Sequence, residues 1–393
     1  MGRDTNKQRM CLPFFYDCII EKNTIYFPMA NYNAMCKADL ENNEVDIIDI
    51  FPNIASDEST AYTGMFKYKN YFLFSQHPKI GTGILVYNII ESKFSMLTSK
   101  DVRFYANDVF TFGEALYIVS KAKAEIYKVD FTDFSVKRIE YKIRLVENET
   151  NVGEVVRKGN YIFIPFNTNR IVLVFDMLTE TFRFYQFPEN IPVITTMSFF
   201  DDNWWITGVD KKIYVWNMEE NTISENIDFP CNIKLFYSGE TWFGNSFIYK
   251  NILWLFPVYA DGILKYNILT KKLEKFDIPG EEEMEGVLED GRFFVSKYGM
   301  VRRLNSEVFF LSSKTRILYE LNLETNDIQS HIFKVNNIYN GKLYPDNANR
   351  IVAESYYTQG IRNLMHIQKG NNLIIEKKDV SVGEVIYNCM KET

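Results

Sequence analysis

Histidine and cysteine are scarce, with three and five residues in a chain of 393. Metal and redox sites need several such ligands at close, regular spacing. No Cys-x-x-Cys pair exists here, so no zinc ligand set can be assembled. The cysteine number is odd. Cys11, Cys18, Cys36, Cys231 and Cys389 read as reduced, mostly buried thiols of a cytoplasmic protein. Long apolar runs are missing too: none approaches the ~18–20 residues of a membrane-spanning helix. The first apolar stretch, 11–16, is cut by Asp17 and lacks the ~7–15 residue core of a secretory signal. Positive charge is in deficit. Lys plus Arg is 44 against 51 Asp plus Glu, a net charge of −7, which argues against a nucleic-acid binder. Neither a Gly-x-Ser-x-Gly elbow nor a His-Glu-x-x-His pair occurs. Gly81-Thr82-Gly83 leads into a strand rather than a helix, so it reads as a turn and not a phosphate loop. No cofactor and no metal are expected, and neither nucleic acid nor membrane is expected as a partner.

What the chain does have is apolar and aromatic residues, 46% and 16% of the total, including 32 Phe and 25 Tyr. They recur in one register. Asp39, Asn88, Asp130, Asp176, Asn217, Asn267 and Asn322 each end an apolar-rich run. The next residue is apolar every time, and another apolar residue follows at plus six: Val45, Phe94, Val136, Phe182, Ile223, Leu273 and Ile328. Residues at minus three and minus one share one face of a strand, because side chains alternate along it. The Asp or Asn then starts a turn, where its short side chain can accept a hydrogen bond from backbone two residues on. Each copy is therefore a β-hairpin. A further apolar run precedes each hairpin, such as Tyr161-Ile162-Phe163-Ile164, and another strand precedes that, as in Asp108-Val109-Phe110-Thr111-Phe112. The unit is four antiparallel strands, a-b-c-d. The runs lack the i, i+3, i+4 spacing of amphipathic helices.

Units marked at 39, 88, 130, 176, 217, 267 and 322 have the ~40–50 residue period of WD40 and kelch blades. Tyr-Asn-Ile-Leu-Thr-Lys-Lys-Leu at 266–273 and Phe-Asp-Met-Leu-Thr-Glu-Thr-Phe at 175–182 look like blade ends of those kinds. The chain resembles the β-propeller superfamily over essentially its whole length, in repeat style rather than in one family's signature. The double glycine of kelch and the Gly-His and Trp-Asp dipeptides of WD40 are missing. The expected fold is all-β, a single propeller domain over 1–393. Eight blades are favoured, with 334–393 as a degenerate last unit. The alternative is seven, with that segment an appendage. The stretch 381–386 echoes 151–156 at the start of the fourth unit and is a candidate for closing the ring.

The resemblance implies that strand a lines a central channel and that the d–a and b–c connections share one face. On that face the candidate ligand-binding residues are Tyr62, Tyr105, Arg170, Trp242, Tyr259, Asp261 and Arg316, a mixture of aromatic faces and charged groups suited to a polar ligand. Carboxylates at the channel mouth, Asp108, Glu154 and Asp261, and the loop histidine His77 are the candidate catalytic groups. The favoured reading is a non-catalytic module that binds a protein, peptide or glycan. The alternative is a hydrolase or lyase using those carboxylates. The run from Glu281 to Glu285 reads as a solvated connection, and His331 and His366 as structural.

Overall fold

The computed structural model describes residues 13–30, 33–52, 62–76, 83–97, 106–120, 125–139, 152–235, 241–279, 281, 297–313, 315–335, 338–339 and 342–343. Every regular element among them is a strand. Seven antiparallel a-b-c-d sheets follow one another, over 19–50, 62–97, 106–139, 156–186, 196–228, 243–276 and 298–331. The protein is a seven-bladed β-propeller.

The seven Asp/Asn markers all fall on the last residue of strand c. Each side chain accepts from the turn that follows. Asp39 Oδ1 takes the amide of Glu41 at 2.7 Å, Asn88 Oδ1 that of Ile90 at 3.0 Å, and Asp130 Oδ1 that of Thr132 at 2.8 Å. Asp176, Asn267 and Asn322 do the same at 2.9, 3.0 and 2.9 Å. Asn217 reaches one residue further, to the Glu220 amide at 3.0 Å. Four residues after every marker the backbone turns left-handed, at Asn43, Ser92, Phe134, Glu180, Asn221, Lys271 and Asn326. A turn closed by its first side chain carries that conformation at seven non-glycine positions.

Asp176 gives this turn a measurable pH signature. Burial opposes its charge. The bonds from the Leu178 amide, the Thr179 hydroxyl and the Asn160 side chain outweigh burial and hold the carboxyl below its ordinary range. A carboxyl lowered in the folded state stabilises above its unfolded value of ~3.9 and loses that contribution as the pH falls through the folded value. Asp176→Asn keeps an acceptor and removes the titration. The melting-temperature gap between wild type and Asp176→Asn should therefore narrow or reverse from about pH 5 to about pH 3. Parallel melting curves over that range would contradict this account.

The apolar core is not one mass but seven wedges, one between each pair of neighbouring blades. The residues at minus three and minus one of each marker sit in the wedge facing the preceding blade, for example Tyr214 and Trp216 between blades 4 and 5. Trp204 and Trp205 point to opposite faces, and each fills a different wedge.

The blade count corrects the favoured reading of eight. Both faces of every sheet are apolar, so a ring can accept another blade only at an open face. Blade 7 leaves none. Its Met300, Phe309, Leu311 and Leu318 pack directly on Phe14, Phe15, Phe27 and Cys36 of blade 1. Lys334–Val335, expected within an eighth unit, instead adds to blade 1 as a fifth strand, parallel to Glu44 and Val45. Lys334 donates its amide to Asn43 O at 2.8 Å. The buried His331 bridges the same seam, with Nδ1 3.1 Å from Asn43 Oδ1 and Nε2 3.1 Å from Glu320 Oε2. Two residue pairs, Ile338–Tyr339 and Lys342–Leu343, form a separate short hairpin. Residues 344–393, including the candidate closing stretch 381–386, lie outside the described residues.

Candidate functional site

The innermost strand of each blade has a neighbour on one side only, so some of its amides face the channel and need acceptors. Two carboxylates supply them, each two residues before a strand a. Glu154 precedes strand a of blade 4 and accepts the Met197 amide of blade 5 at 3.1 Å. It also accepts the Ser246 amide of blade 6 at 3.1 Å and the Ser246 hydroxyl at 2.8 Å. Ser246 Oγ lies 2.9 Å from Ser198 Oγ, so a chain of hydroxyls ends on the carboxylate. Gly153 makes this reach possible. A Cβ there would stand 2.2 Å from the carbonyl oxygen of Ile194, a backbone atom that cannot swing away.

Asp17 plays the matching part on the other side of the ring. It precedes strand a of blade 1, accepts the Met65 amide of blade 2 at 2.9 Å, and pairs with the Arg302 guanidinium of blade 7 through Nε at 2.7 Å. Its side chain is 7% exposed, whereas Arg302 keeps 43% of its surface open to the channel. The Asp17 charge, helped by Asp108 of blade 3, holds the guanidinium still more firmly protonated than usual. Glu154 thus ties blades 4, 5 and 6, and Asp17 ties 7, 1 and 2. Sequence reasoning named Glu154 and Asp108, as catalytic candidates, and did not name Asp17 or Arg302. The signal was an acidic residue two places before strand a, legible only once the strand boundaries are known.

A second polar constellation lies at the loop end of blades 6 and 7. Asp261, in the b–c connection of blade 6, is buried. Its Oδ1 accepts the Lys234 amide at 3.0 Å and its Oδ2 the Lys275 ammonium at 3.0 Å. Burial works against the charge on Lys275, but Asp277 and Asp261 outweigh it and raise its pKa. Lys297 is buried beside them, donates to the carbonyls of Asp261 and Glu281, and has its pKa lowered by burial. Glu281, expected in a solvated run, is 2% exposed. It accepts from Thr315 Oγ1 at 2.8 Å and Tyr319 OH at 3.1 Å. Burial, with the Glu281 charge, pushes the Tyr319 phenol up to about 12. Residues 282–285 lie outside the described residues.

The other sequence candidates fall in separate places. Tyr62 is buried against Phe51 and Phe74, with its phenol pushed up to about 12 by burial. Trp242 is buried and donates Nε1 to Val209 O at 3.1 Å, while the exposed Lys211 lies over its ring at 5.2 Å. Arg170 turns left-handed in the b–c connection of blade 4 and ties down the d–a connection, donating to Pro188 O at 3.0 Å and Pro192 O at 3.3 Å. Arg316 is also left-handed and half-buried, and Tyr259 is half-buried beside Ala260. Tyr105 and His77 lie outside the described residues. Arg170 and Trp242, chosen as ligand contacts, thus also hydrogen-bond within the loop face.

No protein-family model matches the sequence, and neither does any curated protein. Solved structures match in shape. Virginiamycin B lyase from Staphylococcus aureus superposes with a TM-score of 0.55 at 9% identity, over 76% of this chain and 91% of that one. Sqt1 of Saccharomyces cerevisiae gives 0.55 at 8% identity, over 82% and 86%. The computationally designed Ika8 protein gives 0.53 at 13% identity, over 83% and 89%. An enzyme and a designed protein share this frame, so the likeness establishes the propeller fold and no activity.

Proposed function

We propose that this protein is a non-catalytic recognition propeller of the cytoplasm, binding a protein, peptide or glycan at the loop face around the channel mouth. The observation that carries this reading is the contrast between the two faces. One face repeats a single hairpin turn seven times, down to the side-chain acceptor and the left-handed fourth residue. On the other, d–a connections range from 98–105 to 277–297, and charged groups gather at blades 6 and 7. Variation confined to loops on a rigid frame is the usual arrangement of a binding surface. The hydrolase or lyase reading has less support. Glu154 and Asp261 are each engaged by several internal donors, whereas a general acid or base needs a lone pair or proton directed at a substrate.

A glycan array and a displayed random-peptide library, probed with the whole chain, should each be compared with a Lys211→Glu, Tyr259→Ala double variant. Ligands of the loop face should bind the variant at least tenfold more weakly, with its melting temperature unchanged. The loop-face site is overturned if every ligand binds both forms equally, or if neither format yields a ligand.

A further inference from the structure

Among the described residues, one wedge between blades is not closed. The residue after each marker normally fills the outer end of the wedge toward the preceding blade. Leu40, Met177, Met218 and Leu323 are buried there, and Phe131 and Ile268 pack partly buried against their wedges. Ile89 of blade 2 breaks the pattern. It is 36% exposed and stands at the lip of a cavity of about 520 Å³ between blades 1 and 2. The cavity lies toward the turn face, away from the loop-face site. The buried Met35, Phe72 and Tyr87 line it, together with the partly buried Ile48 of blade 1. Lys37 and Asp46 share the blade 1 side, 3.5 Å apart and about half exposed. Ile90, the next residue of the blade 2 turn, is 75% exposed.

We infer that this cleft is a second recognition site, which takes an extended peptide segment of a partner protein and buries one large aliphatic or aromatic side chain. The chemistry fits on four counts. The volume is in the range of ligand pockets, ~300–1,000 Å³, rather than that of a packing defect. The lining mixes aromatic rings with a methionine, a side chain that adapts to differently shaped apolar guests. A cross-strand ion pair at this exposure adds little to stability, so Lys37 and Asp46 give up little by turning to a ligand. Their ammonium and carboxylate supply a donor and an acceptor for the backbone carbonyl and amide that flank an inserted side chain. Finally, the adjoining edge of blade 1 already holds an extended segment: Lys334–Val335 runs parallel to Glu44–Val45, immediately before the Asp46 and Ile48 that line the cleft. This rim of the ring therefore accepts added strands.

The test pans a displayed random heptapeptide library against the full chain and measures the enriched peptides by fluorescence anisotropy. Enrichment of sequences with one central Leu, Ile, Met, Phe or Trp is expected. Replacing that peptide residue with alanine should weaken binding at least tenfold, and so should Ile89→Glu in the protein, while Asp46→Ala should cost about threefold. Lys211→Glu with Tyr259→Ala should change nothing, which separates this site from the loop face. The inference fails if no such sequences enrich, or if those that do bind Ile89→Glu as well as wild type. It also fails if sedimentation shows a dimer that Ile89→Glu dissociates, since the occupant is then a second copy of this chain.

Discussion

Replacing Asp17 with alanine will lower the stability of the protein by roughly 3 kcal/mol and loosen the seam between blades 7 and 1 before any other. The side chain is 7% exposed and serves three groups: the Arg302 guanidinium, the Met65 amide and its neighbour's amide at Cys18, 2.8 Å away. Its loss leaves a cation facing the channel without its counter-charge, and an inner-edge amide without an acceptor. Breaking a fully buried pair costs ~3–5 kcal/mol. The lower end applies because Arg302 keeps 43% of its surface in contact with channel water, which screens the orphaned charge. Urea denaturation of Asp17→Ala, Arg302→Ala and the double variant forms a cycle that isolates the pair. The double variant should be less damaged than the sum of the singles, because removing both charges leaves none unpaired. Asp17→Asn, which keeps an acceptor for Met65, should fall between wild type and alanine. A change within ~0.5 kcal/mol for Asp17→Ala would show that the apolar contacts of the seam close the ring unaided.

The seam also shows where sequence reasoning stops. The hairpin register was legible because it is local. Marker, turn and returning strand lie within a few residues of one another, and the same physics acts seven times. The four-strand unit followed from the same alternation. Blade number was not legible, because it depends on which faces meet when the ring closes. Here that is the wedge shared by Phe15 and Leu311, residues at opposite ends of the repeat array. The weak apolar runs after residue 334 read as an eighth unit, whereas Lys334–Val335 makes two ladder pairs on the edge of blade 1. The loop candidates meet a related limit. Arg170 and Trp242 have the side chains of ligand contacts, but tertiary structure supplies internal partners in the carbonyls of Pro188 and Val209. Composition cannot tell a loop residue that faces a ligand from one that holds the loop. The same limit hid Asp17, whose partners Met65 and Arg302 lie 48 and 285 residues away.

Among single side chains, the largest loss is expected at Trp216. It is fully buried in the wedge between blades 4 and 5, edge-on to Phe187 at 6.4 Å, and donates Nε1 to Asn221 Oδ1 at 3.2 Å. Truncation to alanine should cost about 4 kcal/mol, the area term plus a cavity that two rigid sheets cannot collapse to fill. Trp254 provides the control. It is equally buried, between blades 6 and 7, with Lys265 over its ring at 5.3 Å, but among the described residues its indole N–H has no hydrogen-bond partner. Phenylalanine at either position removes similar apolar area. At 216 it also strips the partner from Asn221, the left-handed residue of the c–d turn, whereas at 254 it removes a buried donor that was already unsatisfied. Trp216→Phe should therefore be about 1 kcal/mol more damaging than Trp254→Phe, the difference being the hydrogen bond alone. Chemical denaturation of the two phenylalanine variants side by side decides it. Equal losses would mean that the wedges are held by packing only, and that the turn closes without help from the indole.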